Sequence, residues 1–302
     1  LFYRTTSRFK PDYINDEYLQ NHYFRPVGPQ EIFPYRDLNV GSFYEQVFDL
    51  AYYASERGPF NYNPDLNADG TLKNAKENWA GITTAIRTEV DFDKANVEYL
   101  EFWLMDPFIN TPRGVIDDGV NTPRPNTKGG KLIFHLGSIS EDLMRDGKHA
   151  FENGLPADGN LVTGAVTSNE WGYVTSQQYI NNAFDNSSSS RQNQDVGLDG
   201  INSAGEVTKF NDFLNTVPSA ARSVVEADPS ADDFKYFLGG EYDQKKAGIL
   251  ERYKNYNNQE NNSPILTGTE PFAKSGTTIP DNEDLNQDNT LSDLDEYYTY
   301  SL

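Results

Sequence analysis

Residues 97–108, VEYLEFWLMDPF, form the densest apolar run in an otherwise polar sequence. Read with a period of two, they set Leu100, Phe102 and Leu104 on one face. Val97, Tyr99, Glu101, Trp103 and Met105 fall on the other. Alternating aromatic and aliphatic side chains suit a pleated, half-buried surface, so the run predicts a strand. Asp106-Pro107 ends it, because proline cannot donate to a ladder and restricts the residue before it. Residues 131–137 (KLIFHLG) predict a second strand across an irregular loop with four Gly and three Pro, and residues 81–89 (GITTAIRTE) a weaker one upstream. Three such neighbours predict an antiparallel sandwich of jelly-roll, galactose-binding-like type.

Farther out the pattern changes, and the expected class is α+β. Residues 1–40 read as an extended or strand-rich lead-in, 41–140 as the β-sandwich core, 141–280 as a helical and irregular insertion, and 281–302 as an acidic loop with a terminal strand, YYTYSL. Within these, 44–53 predict a short strand. Helices are expected over 140–153, 173–184, 204–215, 220–228 and 234–256. The first would carry Ser138 or Ser140 at its cap and Glu141 and Asp142 in its first turn, with Gly154 and Pro156 to stop it. Residues 186–194 and 255–263 are polar enough to read as loops.

The chain of 302 residues is long enough to bury a core. Aromatics at 13% argue against disorder, although apolar residues reach only 36%. A formal net charge of −21 repels nucleic-acid phosphates and anionic lipid, and favours divalent cations or a basic partner. Cysteine is absent, which excludes disulfides, zinc–thiolate sites and thiol catalysis together. No apolar run is long enough for a membrane helix, and no signal peptide or lipidation motif stands out. The abrupt start at Leu1-Phe2-Tyr3 and the strand-like end read as a piece of something larger.

The sharpest local signal is residues 284–295, DLNQDNTLSDLD. Side-chain oxygens fall at Asp284, Asn286, Asp288, Ser292 and Asp295, with Thr290 where a backbone carbonyl would ligate. That spacing suits calcium, which takes six to eight hard oxygens from a tight loop. Asn289 stands where glycine is usual and tolerates a left-handed backbone. An Asx-rich turn that satisfies its own backbone has the same composition. Two further loops carry part of the pattern. Residues 195–206 offer Asp195, Asp199 and Glu206, with Gly200 at the turn, and residues 65–76 offer Asp65, Asn67 and Asp69 but close on Lys76.

His22, His135 and His149 are scattered, and His135 alternates with Phe134 and Leu136 as a sheet imidazole would. No nucleophile elbow, P-loop, zinc-protease or dinucleotide fingerprint occurs. Acid pairs such as Asp117-Asp118 and Glu283-Asp284 are expected from abundance alone, so the chain is expected not to be an enzyme. Trp79, Trp103 and Trp171 leave open a calcium-stabilised, secreted carbohydrate-binding module, although Trp103 reads as core.

Several blocks together resemble one family: FPYRD (33–37), RGPFNY (57–62), NWAG (78–81), DFDKANVEYLEFWLMDPF (91–108), GKLIFHLGSISED (130–142), FENGLP (151–156), QDVGLDG (194–200), RYKNYN (252–257) and TTIPDNEDLNQDNTLSDLDEYY (277–298). They run in order across nearly the whole chain and resemble the SprA/Sov family. Those proteins are very large outer-membrane barrels that form the translocon of the type IX secretion system and are linked to gliding motility. The resemblance implies protein transport at the cell outer membrane. This piece would be an insertion that does not itself span the membrane, on the extracellular rather than the periplasmic side. Implied partners are other parts of the parent barrel, a plug protein, a PorV-type shuttle and secreted passenger proteins, with no nucleic acid.

Overall fold

A computed structural model of the chain describes residues 2–7, 20–37, 44–88, 90–148, 150–161, 166–176, 183–264 and 274–302. Strand β1 (Phe2–Ser7) pairs antiparallel with β2 (Gln46–Ala51), with Phe2 opposite Ala51 and Ser7 opposite Gln46. Between them lies the short helix α1 (Pro29–Ile32), opened by proline at its first position. Two-residue strands β3 (Val115–Ile116) and β4 (Arg124–Pro125) form a second pair. Strand β5 (Ile133–Ser138) pairs with β8 (Glu296–Ser301), and β6 (Val166–Ser168) with β7 (Tyr173–Thr175). Helices α2 (Ser188–Gln194), α3 (Ser203–Lys209), α4 (Asn211–Thr216), α5 (Ser219–Val225), α6 (Gly240–Lys245) and α7 (Ile249–Tyr253) fill the C-terminal half. The composition is α+β, with small antiparallel sheets and no closed barrel among the described residues.

Each sheet among the described residues has two strands, so these residues do not display the layered jelly-roll expected of 41–140. Residues 97–108 carry no strand, and 81–88 carry none either; Glu89 lies outside the described residues. Alternation supplies two faces but not a partner, and here neither face is covered. Leu100 is 60% exposed and Trp103 is 70% exposed, against the expectation that Trp103 is core. Phe102 rests on Phe134 of β5, with ring centroids 5.1 Å apart.

The helix expected over 140–153 is replaced by bends. The Asp142 carboxylate accepts the amides of Asp146 at 3.0 Å and Gly147 at 3.1 Å, and Arg145 and Gly147 both take positive φ. An aspartate that captures its own downstream amides competes with a helix for them. Residues 173–175 form β7 rather than opening a helix, and 177–182 lie outside the described residues. Residues 188–194, read as loop, form α2. The helix expected over 234–256 is broken into α6 and α7 by Lys246 in a left-handed conformation. The helix expected over 204–215 forms as α3 and α4, parted at Phe210, and that over 220–228 forms as α5, ending at Val225; Asn202 caps α3 by accepting the Gly205 amide.

The apolar core is small. Leu66 and Leu72, bridged to each other across a turn, pack with Leu214, Val217, Ala221 and Val225. Leu214 is fully buried there. Leu214→Ala is expected to lower stability by about 3 kcal/mol, because partial collapse leaves a cavity; a urea midpoint indistinguishable from that of the unsubstituted chain would contradict this packing. No helix of the described residues is long and apolar enough to cross a membrane.

Candidate functional site

A chain with so few ladders must satisfy its buried backbone amides some other way. Here carboxylates do it across long sequence distances. Residues 195–199, DVGLD, are buried, and Gly197 holds a φ of +80. A Cβ at Gly197 would lie 2.1 Å from the Asp232 carboxylate, so glycine is required for that approach. The Gly197 amide donates to Glu152 at 2.8 Å, and the Leu198 amide donates to Asp232 at 2.8 Å. Asp195 in turn accepts the amides of Asn262 and Ser263, each at 3.0 Å, and the Ser263 hydroxyl.

The web extends outward from this loop. Glu152 also accepts the Asp281 amide at 2.9 Å. Ser230 donates its amide to Glu206 at 2.8 Å and its hydroxyl to Asp199. Glu260 accepts the Ser203 amide at the start of α3 at 3.2 Å. Farther along, Glu283 accepts the Met144 amide at 2.8 Å, and Glu141 accepts those of Asn286 and Ser292. Each of these hydrogen bonds joins segments that no strand ladder connects, and each backbone amide among the donors finds here an acceptor that no ladder supplies.

Burial pushes the carboxyls up, and their mutual repulsion pushes them further. Asp199 rises to about 8, Glu206 to about 7 and Glu260 to about 9, each chiefly through burial with neighbouring carboxylates adding to it. Glu152 and Asp232 move well above the usual carboxylate range for the same reasons. Asp281 rises to about 6 and Glu283 to about 8, again with burial first. Arg57, half-surrounded by this charge, donates to the Pro229 carbonyl and faces Asp228 and Glu206.

Of the residues picked out by spacing, Asp195, Asp199 and Glu206 all belong to this web, but only Glu206 lies in a tight cluster of acids. Glu206, Asp228 and Asp232 each bring a carboxylate oxygen within 4.8 Å of the others. A second such group is Asp142, Asp146 and Glu283. In the 284–295 loop, Asp284 accepts the amides of Asp288 and Asn289, while Asn286 and Asp288 accept those of Asp288 and Thr290. Asp295 turns to the Ser140 amide and the Arg145 guanidinium, both on the far side of the sequence. At 65–76, Asp65 pairs with Lys73 at 2.6 Å, Asn67 donates to the Thr71 hydroxyl at 3.0 Å, and Asp69 accepts from the Thr71 amide and hydroxyl.

Sequence spacing missed Glu152, Asp228, Asp232, Glu260, Asp281 and Glu283. The one available signal was their setting beside Gly, Pro and Asn in loops, as in FENGLP and DPSADD. His135 contacts Thr299 across the β5–β8 pair at 3.0 Å, as a sheet imidazole; His149 lies outside the described residues. Trp171 packs edge-on against Phe60 and Trp103 against Phe33. In the comparisons with known proteins, residues 209–302 match the model of a family described as motility related/secretion protein. That segment contains Asp228, Asp232, Glu260, Asp281 and Glu283 of the web. No curated protein matches the chain.

Proposed function

We propose that this chain, whose residues 209–302 match the family described as motility related/secretion protein, is a structural and docking region of a type IX secretion translocon. Its task there is to support protein export across the outer membrane, and with it gliding motility, without performing catalysis. The family match carries this reading, and two features of the chain support it. The buried acids are engaged with backbone amides of neighbouring loops, an arrangement suited to holding an irregular surface in shape. The exposed apolar stretch at 97–108 is of the kind that marks contact sites for other proteins. We place this surface on the extracellular side, contacting the parent barrel, a plug protein, a PorV-type shuttle or passengers in transit.

The test uses the whole parent protein in secreting cells. Leu100, Phe102 and Leu104 are 60%, 47% and 59% exposed, so replacing all three with serine leaves the fold nearly unaffected. Passenger export and colony spreading are expected to fall several-fold while the parent protein stays at its normal level in the outer membrane. Export and spreading at full rate in that variant would refute the docking role.

A further inference from the structure

We propose that Glu206, Asp228 and Asp232 form a calcium site that ties α3 to the loop following α5. The three carboxylates converge to within 4.8 Å, and each is already fixed by a backbone amide. Glu206 holds the Ser230 amide, Asp232 that of Leu198, and Asp228 those of Asp232 at 3.1 Å and Asp233 at 3.3 Å. Anchored ligands of this kind need little rearrangement to receive an ion.

An independent observation points to a ligand. Glu206 Oε1 and Asp232 Oδ1 are buried and have no hydrogen-bond partner, on two side chains that are 0% exposed. A buried carboxylate oxygen without a partner is costly, and two in one cluster call for a cation. Arg57 is the cation at hand and faces Asp228 and Glu206, but its guanidinium donates to the carbonyls of Asn61 and Pro229 and not to these carboxylates. Hard oxygen donors without nitrogen or sulfur select calcium or magnesium, and carboxylates held in an irregular loop favour the larger, geometrically tolerant ion. Asp228, half-buried, leaves the open side. A proton shared between Glu206 and Glu260 is the competing way to engage the Glu206 carboxyl.

Thermal unfolding of the 302-residue chain separates these. Millimolar calcium after chelation is expected to raise the melting temperature by about 5 °C. Glu206→Gln and Asp232→Asn keep the shape and remove the charge. In chelator both are expected to melt at or above the unsubstituted chain, and calcium is expected to move them by under a third of that shift. Asp284→Asn is expected to keep the full shift. Three results would each overturn the assignment: no calcium response in the unsubstituted chain, an equal or larger response to magnesium, or loss of the response in Asp284→Asn with its retention in Glu206→Gln.

Discussion

Replacing Asp195 with alanine is expected to destabilise the chain by roughly 4 kcal/mol, seen as a lower urea midpoint at unchanged slope. The Asp195 side chain is 2% exposed, and its two oxygens hold the amides of Asn262 and Ser263 together with the Ser263 hydroxyl. Truncation strands the Ser263 amide and hydroxyl, while the Asn262 amide keeps the Gln259 carbonyl at 3.2 Å, and each unsatisfied donor costs about 1–3 kcal/mol. The sum is held down because the carboxylate is itself under strain, its pKa raised by burial. Asp195→Asn retains one acceptor oxygen and is expected to lose about half as much. If the alanine variant stayed within about 1 kcal/mol of the parent chain, the segments at 195 and 262 would have to be joined by something other than this side chain.

The second large effect is one of pH. With chelator present, stability is expected to fall as pH rises from 5 to 8. Glu283 and Asp281 have folded-state values of about 8 and about 6, both raised above the ordinary carboxylate range. A raised group contributes stability that is fully present below its unfolded pKa and is lost as pH climbs through its folded value. For these two the window opens near pH 4–5 and closes near 6 for Asp281 and 8 for Glu283. At 1.36 kcal/mol per unit, Glu283 alone accounts for a loss on the order of 3 kcal/mol between pH 5 and 8. Its raised value has burial as the first cause, with Asp146 and Asp142 adding repulsion. Glu283→Gln still accepts the Met144 amide but cannot ionise, so its urea midpoint should vary much less over that range. A parent chain as stable at pH 8 as at pH 5 would contradict the burial of these acids.

Local patterns predict local structure in this chain, and they fail where distant segments decide. Strands at 46–51, 133–138 and 296–301 follow from runs of aromatic and β-branched residues. Helices are legible near 204–215 and 220–228, while the break at Phe210 and the cap at Asn202 come from the structure. The stretch at 97–108 has equal claim to strand character by composition, yet a ladder needs a second chain segment in register, which composition cannot supply. Asp142 shows the opposite failure, with helix-compatible neighbours but a carboxylate that takes its own loop's amides. The calcium-like spacing at 195–206 picked out three residues of the buried web, Asp195, Asp199 and Glu206. What groups Glu206 with Asp228 and Asp232 is the return of the chain after α5, more than twenty residues downstream. Nothing in the loop's own spacing encodes that return.

The clasp between Ile133–Ser138 and Glu296–Ser301 has a mechanical consequence. All the chain between Ser138 and Glu296 leaves and comes back through neighbouring points, and it is held a second time where Leu66 and Leu72 pack with Leu214 and Lys254 pairs with Glu56. Tension along the two clasped strands runs through their six facing residue pairs, from Ile133–Ser301 to Ser138–Glu296, and bypasses the acid-tied lobe. A pull on these strands therefore loads the clasp before it reaches the lobe.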